Sequence, residues 1–193
     1  ALHLKTKNLA IKNLILIKKN KPLDSLLIKE SERLIRSQRF TRSVTSEMKV
    51  VSEDSVDVYI RVLDSWSLVP DVNSSTSKSK FDLTEKNFLG LGHEFSNSYT
   101  KSLTSKENGY SVSYFIPTIK NTYISTGLNY GIDLDRNYSK SINMERPFFS
   151  SFARWAAGIG IGQNLTKIVS LDLNQVPMIQ NSKFNYQDYW AGH

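Results

Sequence analysis

The feature that most constrains this chain is an alternation of period two that begins at Trp66 and recurs in run after run as far as Ile161. Phe81 and Leu83 alternate with Lys80, Asp82 and Thr84, and Phe95, Tyr99 and Leu103 with Glu94, Ser96, Ser98 and Thr100. Tyr110, Val112, Tyr114 and Ile116 oppose Ser111 and Ser113, while Ile124, Leu128, Tyr130 and Ile132 oppose Tyr123, Ser125, Asn129 and Asp133. Tyr138, Ile142 and Met144 oppose Ser139, Ser141, Asn143 and Glu145, and Trp155, Ala157, Ile159 and Ile161 oppose Arg154, Ala156, Gly158 and Gly160. Successive side chains of a strand point to opposite faces, so each run predicts a strand with one apolar and one polar face. No helical repeat interrupts the series, which points to an antiparallel all-β architecture.

Such two-faced strands fit two environments. In a soluble sandwich the apolar face is core and the polar face meets water. In a transmembrane barrel the apolar face meets lipid and the polar face lines a lumen. Three features favour the barrel. Aromatic residues fall at strand ends as well as centres, at Trp66, Tyr99, Tyr110, Phe148, Phe149 and Trp155, as in interfacial belts. The connectors at 87–92, 117–121 and 147–151 read as tight, whereas 104–108, 133–137 and 164–182 are polar and often longer. Helical content is near zero, as a lipid-embedded sheet requires. No run approaches the roughly 18 consecutive apolar residues of a transmembrane helix, which leaves strand crossing open.

The first 64 residues read differently. Leu2–Thr6 alternates and predicts a short strand. Asn8 is a plausible N-cap for the run 9–17, which is ambiguous between strand and helix; as a helix it puts Ala10, Ile11, Leu14 and Ile15 on one face. Asn20-Lys21-Pro22 breaks it. Asp24 or Ser25 caps a second helix to about Gln38, with Leu27, Ser31, Leu34 and Ile35 inward. Strands around Val44–Val50 and Val56–Leu63 flank a turn at 52–55. The order is β-α-α-β-β.

The joint is Val58–Val72, where one strand ends at about Leu63 and the next starts at Trp66. Leu68, Pro70 and Val72 alternate with Ser67, Val69 and Asp71. A proline here removes a ladder donor, so this strand pairs weakly on one side.

Chemistry-bearing motifs are absent. There is no cysteine, so disulfides and thiolate metal sites are excluded. His3, His93 and His193 have no ligand spacing, and no nucleophile elbow or phosphate loop appears. Gly158-Ile159-Gly160-Ile161-Gly162 lacks the spacing and context of a dinucleotide loop and reads as small residues on a strand, where glycine permits bending. The net charge of +7 comes without a basic stripe interleaved with stacking aromatics, so nucleic acid is not an expected partner. No cofactor and no catalysis are implied. Glu94, Glu145 and Arg154 on the polar faces are candidates for a lumen charge cluster, with scattered solvated charges as the alternative.

Several stretches carry a resemblance. Residues 1–64, with the polar break before the long helix, the Glu32-Arg33-Leu34-Ile35-Arg36 run and Arg39-Phe40 leading into a strand, resemble a POTRA domain. Asn20 and Gln38-Arg39 stand where that family usually has glycines. Asp64–Pro70, Leu83–Gly92 with its Asn-Phe-Leu-Gly-Leu-Gly turn, and Glu145–Phe149 look like the opening half of a BamA/TamA-type outer-membrane protein, and Tyr189–Gly192 resembles the eighth strand of that barrel. The resemblance implies an α+β POTRA domain in the periplasm (1–64) followed by about half of a sixteen-stranded antiparallel transmembrane β-barrel (65–193). It further implies insertion, assembly or translocation of other proteins, with a lateral gate at Trp66, Ser67, Leu68, Val69, Pro70 and Asp71. Periplasmic turns would be built on Asn87, Gly90, Gly92, Arg146 and Pro147. The implied partners are outer-membrane lipid, unfolded or extended protein substrates, and periplasmic or lipoprotein subunits of an assembly machine. The loop motif and closing strand of the second half are absent from these residues, so a fragment is expected. A barrel that exports a fused passenger or serves a dedicated secretion partner, and a soluble β-rich binding module, are the other readings.

Overall fold

The computed structural model describes residues 4–171 and 177–193. Two helices and a two-stranded sheet come first: α1 (Asn8–Lys12), α2 (Ser25–Arg36), β1 (Thr41–Ser52) and β2 (Ser55–Asp64). An eight-stranded antiparallel sheet follows, of β3 (Leu68–Ser74), β4 (Lys78–Phe88), β5 (His93–Ser102), β6 (Asn108–Ile116), β7 (Ser125–Ile132), β8 (Tyr138–Arg146), β9 (Ala156–Leu171) and β10 (Pro177–Gly192). Its spatial order is the sequence order, with β3 and β10 as open edges. The sheet is not closed into a barrel.

In the front unit, Leu14, Ile35, Phe40 and Val44 form the core, and Ile11, Ile15, Ile60 and Val62 pack against it. The helical face expected from Ala10, Ile11, Leu14 and Ile15 is therefore the one used. The Asp24 side chain caps α2, accepting from the Leu26 amide at 2.8 Å. Ser31 is fully buried and satisfied in both directions: its hydroxyl donates to Leu27 O at 2.6 Å and accepts from the Leu16 amide at 2.9 Å. Asn20 takes the left-handed conformation, φ 58°, that its polar side chain tolerates better than most.

Two expectations for this unit fail. Asn8 is the first residue of α1 and not its cap, which is Lys7. The strand foreseen at 2–6 is not formed over its described part. Residues 1–3, with His3, lie outside the described residues, and residues 4–7 join no sheet. Their polar groups go elsewhere: the Thr6 amide donates to Asp64 Oδ2 at 2.9 Å and the Lys7 amide to Gly90 O at 2.8 Å. The observed order is thus α-α-β-β.

In the large sheet the alternation is realised row by row. One row runs Val72, Phe81, Tyr99, Tyr110, Ile132, Tyr138, Leu165, and on the reverse face Asp71, Asp82, Ser98, Ser111, Gly131, Ser139, Asn164 stand in register. The last strand inverts the pattern in part. The apolar rows of Leu165 and Ile161 end on β10 at Lys183 and Gln187, and the polar rows of Asn164, Gly162 and Gly158 end at Phe184, Tyr186 and Trp190, while Tyr189 opposite Ile159 and Asp188 opposite Gly160 keep the pattern. The cause is the glycine series of β9. Trp190 and Tyr186 lay their rings over Gly158 and Gly162, in space that any Cβ would fill. These glycines are seats for aromatic rings, a role beyond the bending that the sequence predicts for them. The stretch 164–182, expected as a loop, is strand over 164–171 and 177–182. The β9–β10 hairpin extends six residues past the end of the β8 pairing, about 20 Å at strand rise.

Candidate functional site: an open edge beside a docked end

The site grows from the joint between β2 and β3. The Ser65 amide donates to Phe40 O at 2.7 Å and its hydroxyl to Arg39 O at 3.0 Å, which ties the joint to the front unit. Ser67 is fully buried, and its carbonyl accepts from the Lys86 amide at 2.8 Å, which ties it to β4. The Ser67 hydroxyl is buried without a partner. Trp66 between them points outward, 60% exposed.

From that anchor the hydrogen-bond phase of β3 follows. Ser67 bonds β4 at one end and the Ser75 amide donates to Lys78 O at the other, so the odd-numbered residues between them face β4. The backbone groups of Leu68, Pro70, Val72 and Ser74 point to the open side. Pro70 therefore costs β3 nothing in its pairing with β4, and removes a donor from the free edge. Of the expected gate residues, Leu68 to Asp71 lie in β3, while Trp66 and Ser67 lie in the joint.

Beside this edge the front unit docks against one end of the sheet, through three connections. The turn 89–92 comes first. Asn87 is fully buried: its side-chain amide donates to Leu4 O at 3.1 Å and Thr6 Oγ1 at 2.9 Å, and its Oδ1 accepts from the Gly92 amide at 2.8 Å. Gly90 and Gly92 both have φ of 73°, and a Cβ on them would stand 2.7 Å from Lys5 O and 2.6 Å from the Phe40 ring respectively. Arg39 reaches the same turn region, pairing with Glu94 at 2.6 Å.

The connection 117–124 holds α1: Asn121 Nδ2 donates to Lys12 O at 2.9 Å and the Tyr123 hydroxyl to Ile15 O at 3.3 Å. The connection 147–155 holds α2. Arg33 donates to Phe149 O at 2.6 Å while its fork grips Glu30 at 2.8 Å. Hydrogen bonds from Arg33, then from the Ser150 side chain and Ser151 backbone, hold the Glu30 carboxyl below its ordinary range against a desolvation that pushes it up. Tyr123 stacks on Phe149 with centroids 3.9 Å apart, which welds the two connections together.

The expected turn residues Asn87, Gly90 and Gly92 thus meet at one contact, and Arg146 and Pro147 fall at another, where β8 ends. The expected charge cluster is not assembled. Glu94 is held by Arg39, Arg154 lies in the 147–155 connection instead of on a strand face, and no ion pair or hydrogen bond among the described residues joins any two of Glu94, Glu145 and Arg154. The expected short-turn, long-loop asymmetry does not hold among the described links. Two connections on the docked side, 117–124 and 147–155, are the longest of them, and they carry the contacts to α1 and α2. Sequence reasoning missed Asn121, Tyr123 and Phe149 as docking residues; four aromatics within 147–155 were the available signal. Among the described residues no cluster of His, Asp or Glu could hold a metal, and no helix is long and apolar enough to cross a membrane.

No protein-family model matches the chain, and no curated protein matches it. Solved structures do. The crystal structure of BamA from Haemophilus ducreyi lacking POTRA domains 1–3 superposes with a TM-score of 0.57 at 13% identity, over 97% of this chain and 41% of that one. The large sheet has a BamA-like barrel fold. At that identity the likeness is one of fold, and the chain spans well under half the length of the BamA chain it matches. In the described sheet, β3 and β10 are the two edges without a paired neighbour.

Proposed function

We propose that this is an outer-membrane β-barrel protein that inserts, assembles or translocates other proteins. Residues 1–64 act as a POTRA domain in the periplasm, and β3 is one side of a lateral gate. The observation that carries the reading is the open β3 edge, short of a donor at Pro70 and fixed at its base to the front unit. An edge with unpaired groups accepts an added strand. One that lacks a donor holds it less tightly, so a substrate strand can be templated and released. The BamA-like fold supports the barrel, and the 97% coverage extends the likeness into the front unit. Extended protein segments are the substrates, outer-membrane lipid is the surrounding solvent of the apolar rows, and the docked end faces the periplasm together with any accessory subunits.

The test is Pro70→Val in the full-length protein. It restores one hydrogen-bond donor at the seam, worth about 1 kcal/mol, so opening and substrate assembly slow by about fivefold. A photocrosslinking residue at Val72 should capture nascent barrel polypeptides. Unchanged assembly with Pro70→Val, together with crosslinks to lipid alone, removes the gate. Capture of a single passenger protein from Val72 selects the exporter reading instead, and partition of the protein into the aqueous phase selects the soluble module.

A further inference from the structure

The connection 147–155 holds more apolar surface than docking uses. Phe148, Phe152 and Trp155 are 53%, 49% and 54% exposed, all within eight residues, and such a concentration marks a binding surface. Phe149 differs from them: its ring stacks on Tyr123 and its carbonyl accepts from Arg33. Arg146 stands at the root of this segment. Its guanidinium lies 4.7 Å from the centroids of both the Phe149 and Trp155 rings, and it donates to Trp155 O at 2.6 Å. Neither Arg146 nor Arg154 has a carboxylate partner in the ion pairs of the described residues. The nearby Glu30 is occupied by Arg33 and Ser150, and Glu145 points to the opposite face of the sheet from Arg146.

Register fixes the depth of this group. Arg146 pairs with Ala157 on the apolar face, one row below Met144 with Ile159 and two below Ile142 with Ile161. A row is about 7 Å, so the guanidinium sits just past the last large apolar residues. If the apolar rows face lipid, as proposed above, that is the level of the phosphates, where arginine and amphipathic aromatics settle together.

We propose that residues 146–155 bind the headgroup of an anionic phospholipid in the leaflet on the front-unit side. Arg146 and Arg154 take the phosphate, and Phe148, Phe152 and Trp155 seat in the glycerol and upper acyl region. The same segment presents Phe149 O to Arg33 of α2. Lipid binding therefore steadies the surface on which the front unit docks.

The experiment uses the whole chain with Trp66→Phe and Trp190→Phe, which leaves Trp155 as the only tryptophan. The protein is reconstituted in phosphatidylcholine bilayers containing brominated phosphatidylglycerol or, at equal mole fraction, brominated phosphatidylcholine. Quenching of Trp155 should show a preference for phosphatidylglycerol of about fivefold for each arginine engaged. Arg154→Gln, on an exposed side chain, should lose one such factor, and Arg146→Gln/Arg154→Gln should abolish the preference with the sheet circular dichroism intact. Equal quenching by the two lipids overturns the proposal, as does absence of quenching in a protein that still inserts. A protein that fails to enter bilayers at all overturns the barrel reading beneath it.

Discussion

The two ends of the large sheet are built from the same strands and do opposite things with their connections. Among the described residues, the links at the far end are 75–77, 103–107 and 133–137, closed by local hydrogen bonds such as Asp133 N to Asn137 O at 2.9 Å and Ser102 N to Glu107 O at 3.0 Å. At the docked end they are 89–92, 117–124 and 147–155, and each sends hydrogen bonds to α1, to α2 or to the segment before them. The far links satisfy themselves. The docked links leave backbone and side-chain groups to be satisfied by another unit, and the two that reach α1 and α2, 117–124 and 147–155, are the longest described. Connection length thus follows contact partners here, and is a poor guide to which side of a membrane a link occupies.

The sharpest way to break this contrast is Gly92→Val. The residue needs a positive φ that a β-branched side chain rarely adopts, and its Cβ would strike Phe40, the most deeply placed ring of the front unit. A loss of about 2–4 kcal/mol is expected, seen as exposure of residues 4–64 to limited proteolysis before the sheet melts. Asn87→Ala comes next. It strips Leu4 O, Thr6 Oγ1 and the Gly92 amide of a buried partner, and about 2–3 kcal/mol should be lost by the same measurement. Asn87→Asp sharpens the point. It keeps the acceptor for Gly92 while removing the donors to Leu4 and Thr6, so it should fall with alanine and not with the parent protein.

Much of this division was legible in the residues. The strands from Leu68 to Ile161 appear where the alternation puts them, since a period of two can be satisfied only by a sheet with two unlike faces. Asp24, Ser31, Leu34 and Ile35 behave as a capped amphipathic helix must. What escaped had non-local causes. Leu4–Thr6 alternates as a strand does, yet its backbone is claimed by Asn87 and Asp64, neither of which is near in sequence. The inversion at β10 depends on glycines of the neighbouring strand, whose empty space decides where Tyr186 and Trp190 go. Arg154 alternates in step with β9 but sits before the strand begins. The docking role of Phe149 runs through its carbonyl oxygen, a group every residue has, so no side-chain motif announces it.

A gentler probe of the docked end is pH. The Glu30 carboxyl is held below its ordinary range, chiefly by Arg33 and then by Ser150 and Ser151. A depressed carboxylate contributes stability that is present above its free value and is lost as pH falls through the docked value. Docking of α2 should therefore hold at neutral pH and loosen in the acid range below that of a free glutamate. Glu30→Gln should remove this dependence and weaken docking modestly at neutral pH, because the Arg33 half of the pair is about half exposed and solvent screens it. Hydrogen exchange at the Ser150–Ala153 amides, followed against pH, reads the effect. An acid response unchanged in Glu30→Gln would assign the loosening to another group.

The smallest effect belongs to the far end, and its smallness is the informative part. Inserting Gly-Ser between Thr104 and Ser105 lengthens a link that contacts nothing on the front unit. Lengthening a surface link raises its closure cost only slowly, so the loss should stay at about the 1 kcal/mol of the local hydrogen bond it disturbs. The same insertion between Lys120 and Asn121 should cost more, because it moves Asn121 and Tyr123 out of phase with Lys12 and Ile15. Paired insertions thus compare the two ends at constant chemistry, with proteolysis of the front unit as the readout. Equal losses at both sites would mean that the docked connections act only as linkers. A loss confined to the second site would locate the hold on the front unit in the contacts those connections make.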